Sequence, residues 1–217
     1  MSSARPGAQA DVERPPPTTF LRFDRVERVL HWVNATLFGT LMLTGAALYA
    51  GPVSAIVGNR ETVRFIHVYA GLLLPVPLLL SVIGRHGAQL RTDLRRLNRW
   101  SRDDARWFRR RVRRRGKLQL GKFNPGQKLN TAFVFGAAVV MLGTGSIMHW
   151  FGAFPLDWRT GATFVHDWFA IGIWISVLGH IAFALRDSDS LDSMLGGRIA
   201  SSWARKHAPL WYEELTR

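Results

Sequence analysis

An imidazole placed in an apolar stretch of chain is costly unless it pairs with something or binds something. This sequence pays that penalty repeatedly. Its seven histidines are His31, His67, His86, His149, His166, His180 and His207. His31 stands near the start of the first of four apolar runs and His67 at the start of the second. His166 and His180 stand near the two ends of the fourth, fourteen residues apart. On a helix that spacing is about four turns, so both side chains share a face with a rise of about 21 Å between them. One such histidine alone reads equally well as a hydrogen-bonding group between helices. Two histidines at each of two depths are what bis-imidazole ligation of a haem iron requires, twice over. Depth matches His31 with His180, and His67 with His166. His149 ends the third run at the same end as His67 and His166, and competes with either. His86 and His207 are flanked by charge and read as solvated.

The runs that must position these groups cover residues 26–49, 65–84, 129–150 and 164–185. Each is close to the roughly 20 residues that cross a hydrocarbon layer as a helix. They lack the polar face of a water-soluble helix. The expected fold is an all-α integral membrane protein, with four transmembrane helices forming a dihaem cytochrome b bundle. Pro75 and Pro77 predict a kink in the second span. The glycines of the spans fit either close helix packing or a flat macrocycle beside the backbone, and decide neither.

Charge gives the bundle a direction. The formal net charge is +14. In a soluble chain that would suggest nucleic acid. Beside apolar spans, topology and anionic lipid account for it, and no nucleic-acid partner is expected. The connection 85–128 carries sixteen Lys and Arg against three Asp, most densely over 106–117. The two other connections are short and weakly charged. The positive-inside rule puts the long connection in the cytoplasm, with both termini beside it. Cysteine is absent. Thiolate-bound iron–sulfur clusters and thioether-linked haem are thereby excluded within the chain. No Asp, Glu, Lys or Arg lies deep in a span and no repeat is evident, which argues against a transporter. Residues 1–19 are polar and proline-rich and read as a disordered tail without the apolar region of a signal peptide. Residues 20–196 form the membrane domain and 197–217 a cytoplasmic C-terminal tail.

Several segments carry a family likeness. FDRVERVLHW at 23–32, GKFNPGQKLN at 121–130, the His166–His180 spacing and GGRIASSWARKHAPLWYEE at 196–214 together resemble the cytochrome b, or gamma, subunit of membrane-bound respiratory formate dehydrogenase. The resemblance implies two b haems, an outer one on His67 and His166 and a cytoplasmic one on His31 and His180. It implies a quinone near the cytoplasmic haem, with Asn124 and Gln127 as hydrogen-bonding groups. Asn124 also reads as a helix cap with Pro125 at the first helical position. The implied partners are an iron–sulfur beta subunit and a molybdenum- or tungsten-containing alpha subunit, on the periplasmic side of a bacterial inner membrane. A higher oligomer is compatible with this. The chain itself would not act on formate. Alternatives are the cytochrome b of a hydrogenase or thiosulfate reductase type of enzyme, a free-standing four-helix cytochrome b, and, remotely, a haem-free transporter or scaffold.

Overall fold

The computed structural model describes residues 18–50, 52, 58–114 and 118–217. Most of the proline-rich tail, most of the first short connection and the end of the arginine-dense stretch lie outside them.

Strand β1 (Thr19–Leu21) leads into helix α1 (Arg25–Tyr49). Helices α2 (Arg60–Leu73) and α3 (Pro75–Ile83) follow, joined at Leu74. Leu74 keeps helical dihedrals, and its N–H still reaches Ala70 and Gly71. The prolines beyond it have no N–H to give, so the ladder breaks there while the chain runs on as one long rod. The basic connection holds α4 (Ala88–Leu97), α5 (Arg102–Trp107) and α6 (Arg110–Arg114). Helix α7 (Pro125–His149) and α8 (Leu156–Arg186) come next. The chain closes with α9 (Ser188–Gly196), strand β2 (Arg198–Ala200), α10 (Ser201–His207) and α11 (Pro209–Thr216).

Three of these rods are long and apolar enough to cross a membrane: Arg60–Ile83, Pro125–His149 and Leu156–Arg186. Only 6 % of each apolar stretch is buried inside the protein. Side chains such as Ile83 and Phe183 stand uncovered, and such a surface calls for hydrocarbon as its solvent. Helix α1 has the length, 25 residues, but is more polar, with Asn34, Thr36, Thr40 and Thr44 along it. Its threonines donate to the carbonyls of Trp32, Thr36 and Thr40 at 3.0, 2.9 and 2.6 Å. That back-bonding satisfies the hydroxyls without water.

Helix α1 packs on α2, α7 packs on α8, and α2 touches α7. A Cβ on Gly172 of α8 would sit 3.0 Å from the Phe133 ring of α7, so this glycine sets their approach. Helices α2 and α8 begin earlier than the predicted spans. Arg60, Glu61, Asp157 and Arg159 extend them by one or two turns of polar helix beyond the apolar run. The predicted connection 151–163 thereby shrinks to a single turn at Phe151–Ala153 and a few residues after it.

At the basic end residues 19–23 and 197–212 build a small water-type core. Strands β1 and β2 pair antiparallel, with Phe20 opposite Ile199. Phe20 meets the edges of Trp211 and Tyr212, and Ala204 and Ala208 close the cluster. Thr18 and Thr19 are therefore ordered structure, and residues 198–216 fold back rather than trail. Gly197 makes the turn at φ +87°, and its carbonyl accepts the N–H groups of Arg22 and Phe23 at 2.8 and 3.1 Å. A Cβ there would lie 2.8 Å from the Phe23 oxygen, so only glycine serves.

Candidate functional site

Helix α8 carries two of the key side chains, one near each end. His180 faces His31 of α1, with ring centres 6.1 Å apart and planes at 57°. His166 faces His67 of α2, at 6.3 Å and 64°. These are the pairs that depth alone matches. His149 is exposed beside Trp150 and faces no other histidine among the described residues. His86 is exposed, and His207 stacks on Trp203.

The spacing has chemical meaning. A metal–imidazole bond is about 2.0 Å, and a ring nitrogen lies about 1.1 Å from the ring centre, so two rings on one metal have centres about 6 Å apart. Both pairs match that value. Among the described residues no three metal-ligating side chains converge. Two axial donors suit a metal whose other positions are filled by a macrocycle.

Further groups around the pairs escape a sequence reading. Thr44 Oγ1 lies 2.9 Å from His67 Nδ1, and Thr144 Oγ1 lies 2.9 Å from His166 Nδ1. Each threonine is followed by a glycine set against the same ring. Buried polar atoms without a protein partner also stand on the helices that carry these histidines. They include Asn34 Oδ1, three residues after His31, and Arg28 Nε, whose guanidinium is held at the Leu195–Gly197 turn and donates to the Leu195 carbonyl at 2.5 Å. Another is Arg159 Nε, seven residues before His166 and about two turns away on the same face. A buried guanidinium nitrogen two turns from His166 suits the anionic edge of a bound group.

Asn124 and Gln127 form a reciprocal cap at the start of α7. Asn124 Oδ1 accepts the Gln127 N–H at 3.0 Å, and Gln127 Oε1 accepts the Asn124 N–H at 2.9 Å. Both oxygens are used, while both amide nitrogens have no protein partner among the described residues. Ser176, one turn before His180, donates to Asn130 at 2.7 Å. This tie sets the first turns of α7 beside the half of α8 that holds His180.

Two buried lysines pin that cap. Lys122 meets Asp93 of α4, and Lys128 reaches Asp104 of α5 and the Arg99 carbonyl, each at 2.8 Å. Burial drives the Lys122 amine below its ordinary pKa, opposed by Asp93 and Glu27. Arg22 lies under the Trp203 ring and donates to Ser190 at 2.8 Å. Burial brings its guanidinium down to about 10, so it stays charged near neutrality.

Residues 22–197 match the model of the prokaryotic cytochrome b561 family. The chain belongs to that family. The cytochrome b556(fdo) subunit of formate dehydrogenase from Escherichia coli (strain K12) is 26% identical over 212 residues, covering 92% of this chain and 94% of that one. The corresponding cytochrome b556 subunit from Haemophilus influenzae is 25% identical over 205 residues, covering 91% and 84%. The nitrate-inducible cytochrome b556(Fdn) subunit from Escherichia coli (strain K12) is 22% identical over 200 residues, covering 88% and 89%. The resemblance drawn from segments 23–32, 121–130 and 196–214 thus extends over nearly the whole chain. As a cytochrome b with uncovered apolar helices, it is an integral membrane protein of electron transport that takes haem b.

The glycines beside the rings can be tested in this cytochrome b. A Cβ on Gly45 would lie 3.2 Å from His67 Cε1, whereas one on Gly145 would lie 3.4 Å from His166 Cε1. Gly45→Ala should therefore tilt His67 and lower haem occupancy, and Gly145→Ala should do less. Haem per chain, measured on the purified proteins, checks the order; equal loss in both would refute it.

Proposed function

We propose that this cytochrome b is the membrane anchor and electron-transfer subunit of a respiratory formate dehydrogenase, passing electrons from an iron–sulfur subunit to a quinone. The observation that carries the reading is the two facing histidine pairs, four turns apart along α8. Helix α1 counts as a fourth span, since it supplies His31 and packs on α2. The basic end faces the cytoplasm of a bacterial inner membrane, by the charge of the 85–128 connection. Both chain ends belong to that side, and the catalytic and iron–sulfur partners dock at the opposite, periplasmic end.

Two b haems, when bound, carry single electrons from the outer end to the cytoplasmic end. His67 and His166 would hold the outer group, and His31 and His180 the inner one. Arg159 would offer its guanidinium to the anionic edge of the outer group. His180, the more exposed of the four, leaves the inner site open to a second ligand. Asn124 and Gln127 turn their free amide N–H groups to a quinone carbonyl while their oxygens hold the cap. Protons for quinol come from the cytoplasmic water at that end. Each electron carried inward then stores about 2.3 kcal/mol per 100 mV of membrane potential. The basic 106–117 stretch meets anionic lipid.

The test is a reduced-minus-oxidised spectrum of the complex purified through a tag on this chain, together with formate-to-quinone turnover. The expected result is b-type bands at two haems per chain, with turnover by the co-purified subunits. Assembled protein without b-type bands would sink the reading. A sharper test separates cap from donor at Asn124. Asn124→Asp keeps an equally good cap but loses the N–H donor. A lost hydrogen bond of about 1.4 kcal/mol predicts a roughly tenfold loss of quinone turnover with thermal stability and haem spectrum unchanged. Asn124→Ala should lose the cap as well, lowering stability by about 1 kcal/mol. Normal quinone kinetics in the aspartate variant would remove Asn124 from the site.

A further inference from the structure

We propose that Thr44 and Thr144 fix His67 and His166 as Nδ1–H tautomers and thereby make the outer haem the lower-potential one of the two. The inference rests on the ligand assignment just given. A threonine hydroxyl has one proton to donate. Thr44 gives it to the Thr40 carbonyl at 2.6 Å, with Leu41 a longer second acceptor at 3.3 Å. Thr144 gives its proton to the Val140 carbonyl at 2.8 Å, with Met141 at 3.3 Å. What remains on each oxygen is lone pairs, so the 2.9 Å contact to the ring is an N–H donated by Nδ1. The ring's other nitrogen, Nε2, is then unprotonated and free to bind iron.

The arrangement occurs twice. Thr44 on α1 and Gly45 after it seat the histidine of α2, 23 residues on from the threonine. Thr144 on α7 and Gly145 seat the histidine of α8, 22 residues on. The two helix hairpins therefore repeat the same device, although the sequence shows no overall repeat. Thr36 and Thr40 bond back to their own helix without touching a ring. Plain back-bonding thus does not explain why these two meet an imidazole. Among the described residues neither His31 nor His180 has a hydrogen-bond partner.

The consequence is electronic. A ligand imidazole that donates its second N–H is the more basic ligand. A more basic axial ligand favours the oxidised iron and lowers its potential. Both axial ligands of the outer site have this bond from protein groups. The pair of sites thus forms a step that runs downhill from the outer donor toward the quinone end.

The experiment uses the assembled complex with Thr44→Val, Thr144→Val and both together. Valine keeps the shape and removes the acceptor. Redox titration followed optically and by EPR reads both haems, and His166→Ala assigns the outer signal by its disappearance. The expected result is an upward shift of the lower-potential haem in each single variant, larger in the double, with the other haem unmoved. Thr44→Ser and Thr144→Ser should restore the original potential. An outer haem that stays put in the double valine variant overturns the inference, as does a shift confined to the inner haem. If valine empties the outer site, the serine variants decide: a serine protein with two haems and a displaced outer potential overturns it. If His166→Ala keeps both haems, the ligand assignment fails instead, whatever the threonine variants do.

Discussion

His180→Ala should leave a protein that keeps one haem of two and no longer reduces quinone. The remaining haem should be the outer one. The ligands proposed for it sit on α2 and on the opposite end of α8, about 21 Å from the deleted ring, and their ring contacts to Thr44 and Thr144 are untouched. Alanine at 180 removes a partly exposed ring whose nearest aromatic neighbour is His31, so the bundle itself should persist. His31→Ala should give the same phenotype, because one axial ligand does not hold the pair together. His67→Ala and His166→Ala should give the mirror image, an inner haem that the donor can no longer reduce. His149→Ala should leave both haems in place, since its exposed ring lies beside Trp150 and faces no other histidine among the described residues. Haem per chain and donor-driven reduction of the remaining haem are the measurements. Two haems in the His180→Ala protein would break the pairing by depth.

The pairs were legible because helical geometry turns sequence spacing into position. Fourteen residues on one helix fix both face and rise, and apolar run length with charge places the other two histidines at matching depths. The threonines were not legible as partners of the rings. A threonine in an apolar span satisfies itself by back-bonding, and nothing local says which neighbouring helix brings an imidazole to it. The recurring Thr-Gly at 44–45 and 144–145 was the available signal. The cap at 124–127 was readable from its residue types, whereas its anchoring was not. Asp93 and Asp104 look unremarkable among sixteen cations, and their partners Lys122 and Lys128 are 29 and 24 residues away. The C-terminal segment read as a tail because its tryptophans are spread among charges. Only pairing of β1 with β2 brings Phe20 onto Trp211 and makes a core of them.

Asp93→Ala should be the most destabilising change outside the spans. Asp93 is 2 % exposed and the Lys122 side chain is fully buried. The carboxylate takes Lys122 on one oxygen and Arg96 on the other, the latter at 3.0 Å. Removing one member of a buried pair leaves an uncompensated charge, at a cost of about 3–5 kcal/mol. Arg96 can fall back on Glu214, at 3.0 Å, so Lys122 is the group left stranded, with Glu27 its remaining acidic neighbour. The Lys122 amine already titrates below its ordinary value because burial disfavours the charge, and loss of Asp93 pushes it lower. Between that lowered pKa and the ordinary lysine range the unfolded chain binds more protons than the folded one, so stability rises with pH in that window. The deficit of Asp93→Ala relative to the unaltered protein should therefore narrow as pH is raised, because Lys122 sheds its proton sooner in the variant. A cavity left by the missing carboxylate would give a deficit independent of pH. Asp93→Ala combined with Lys122→Met should recover most of the loss at neutral pH, since an apolar replacement of both partners removes the buried ion pair and leaves only Glu27, whose carboxyl burial raises to about 8. Thermal unfolding in detergent across the alkaline range measures both. The proposed quinone turnover should follow the same order, because Lys122 fixes the approach to the Asn124 cap.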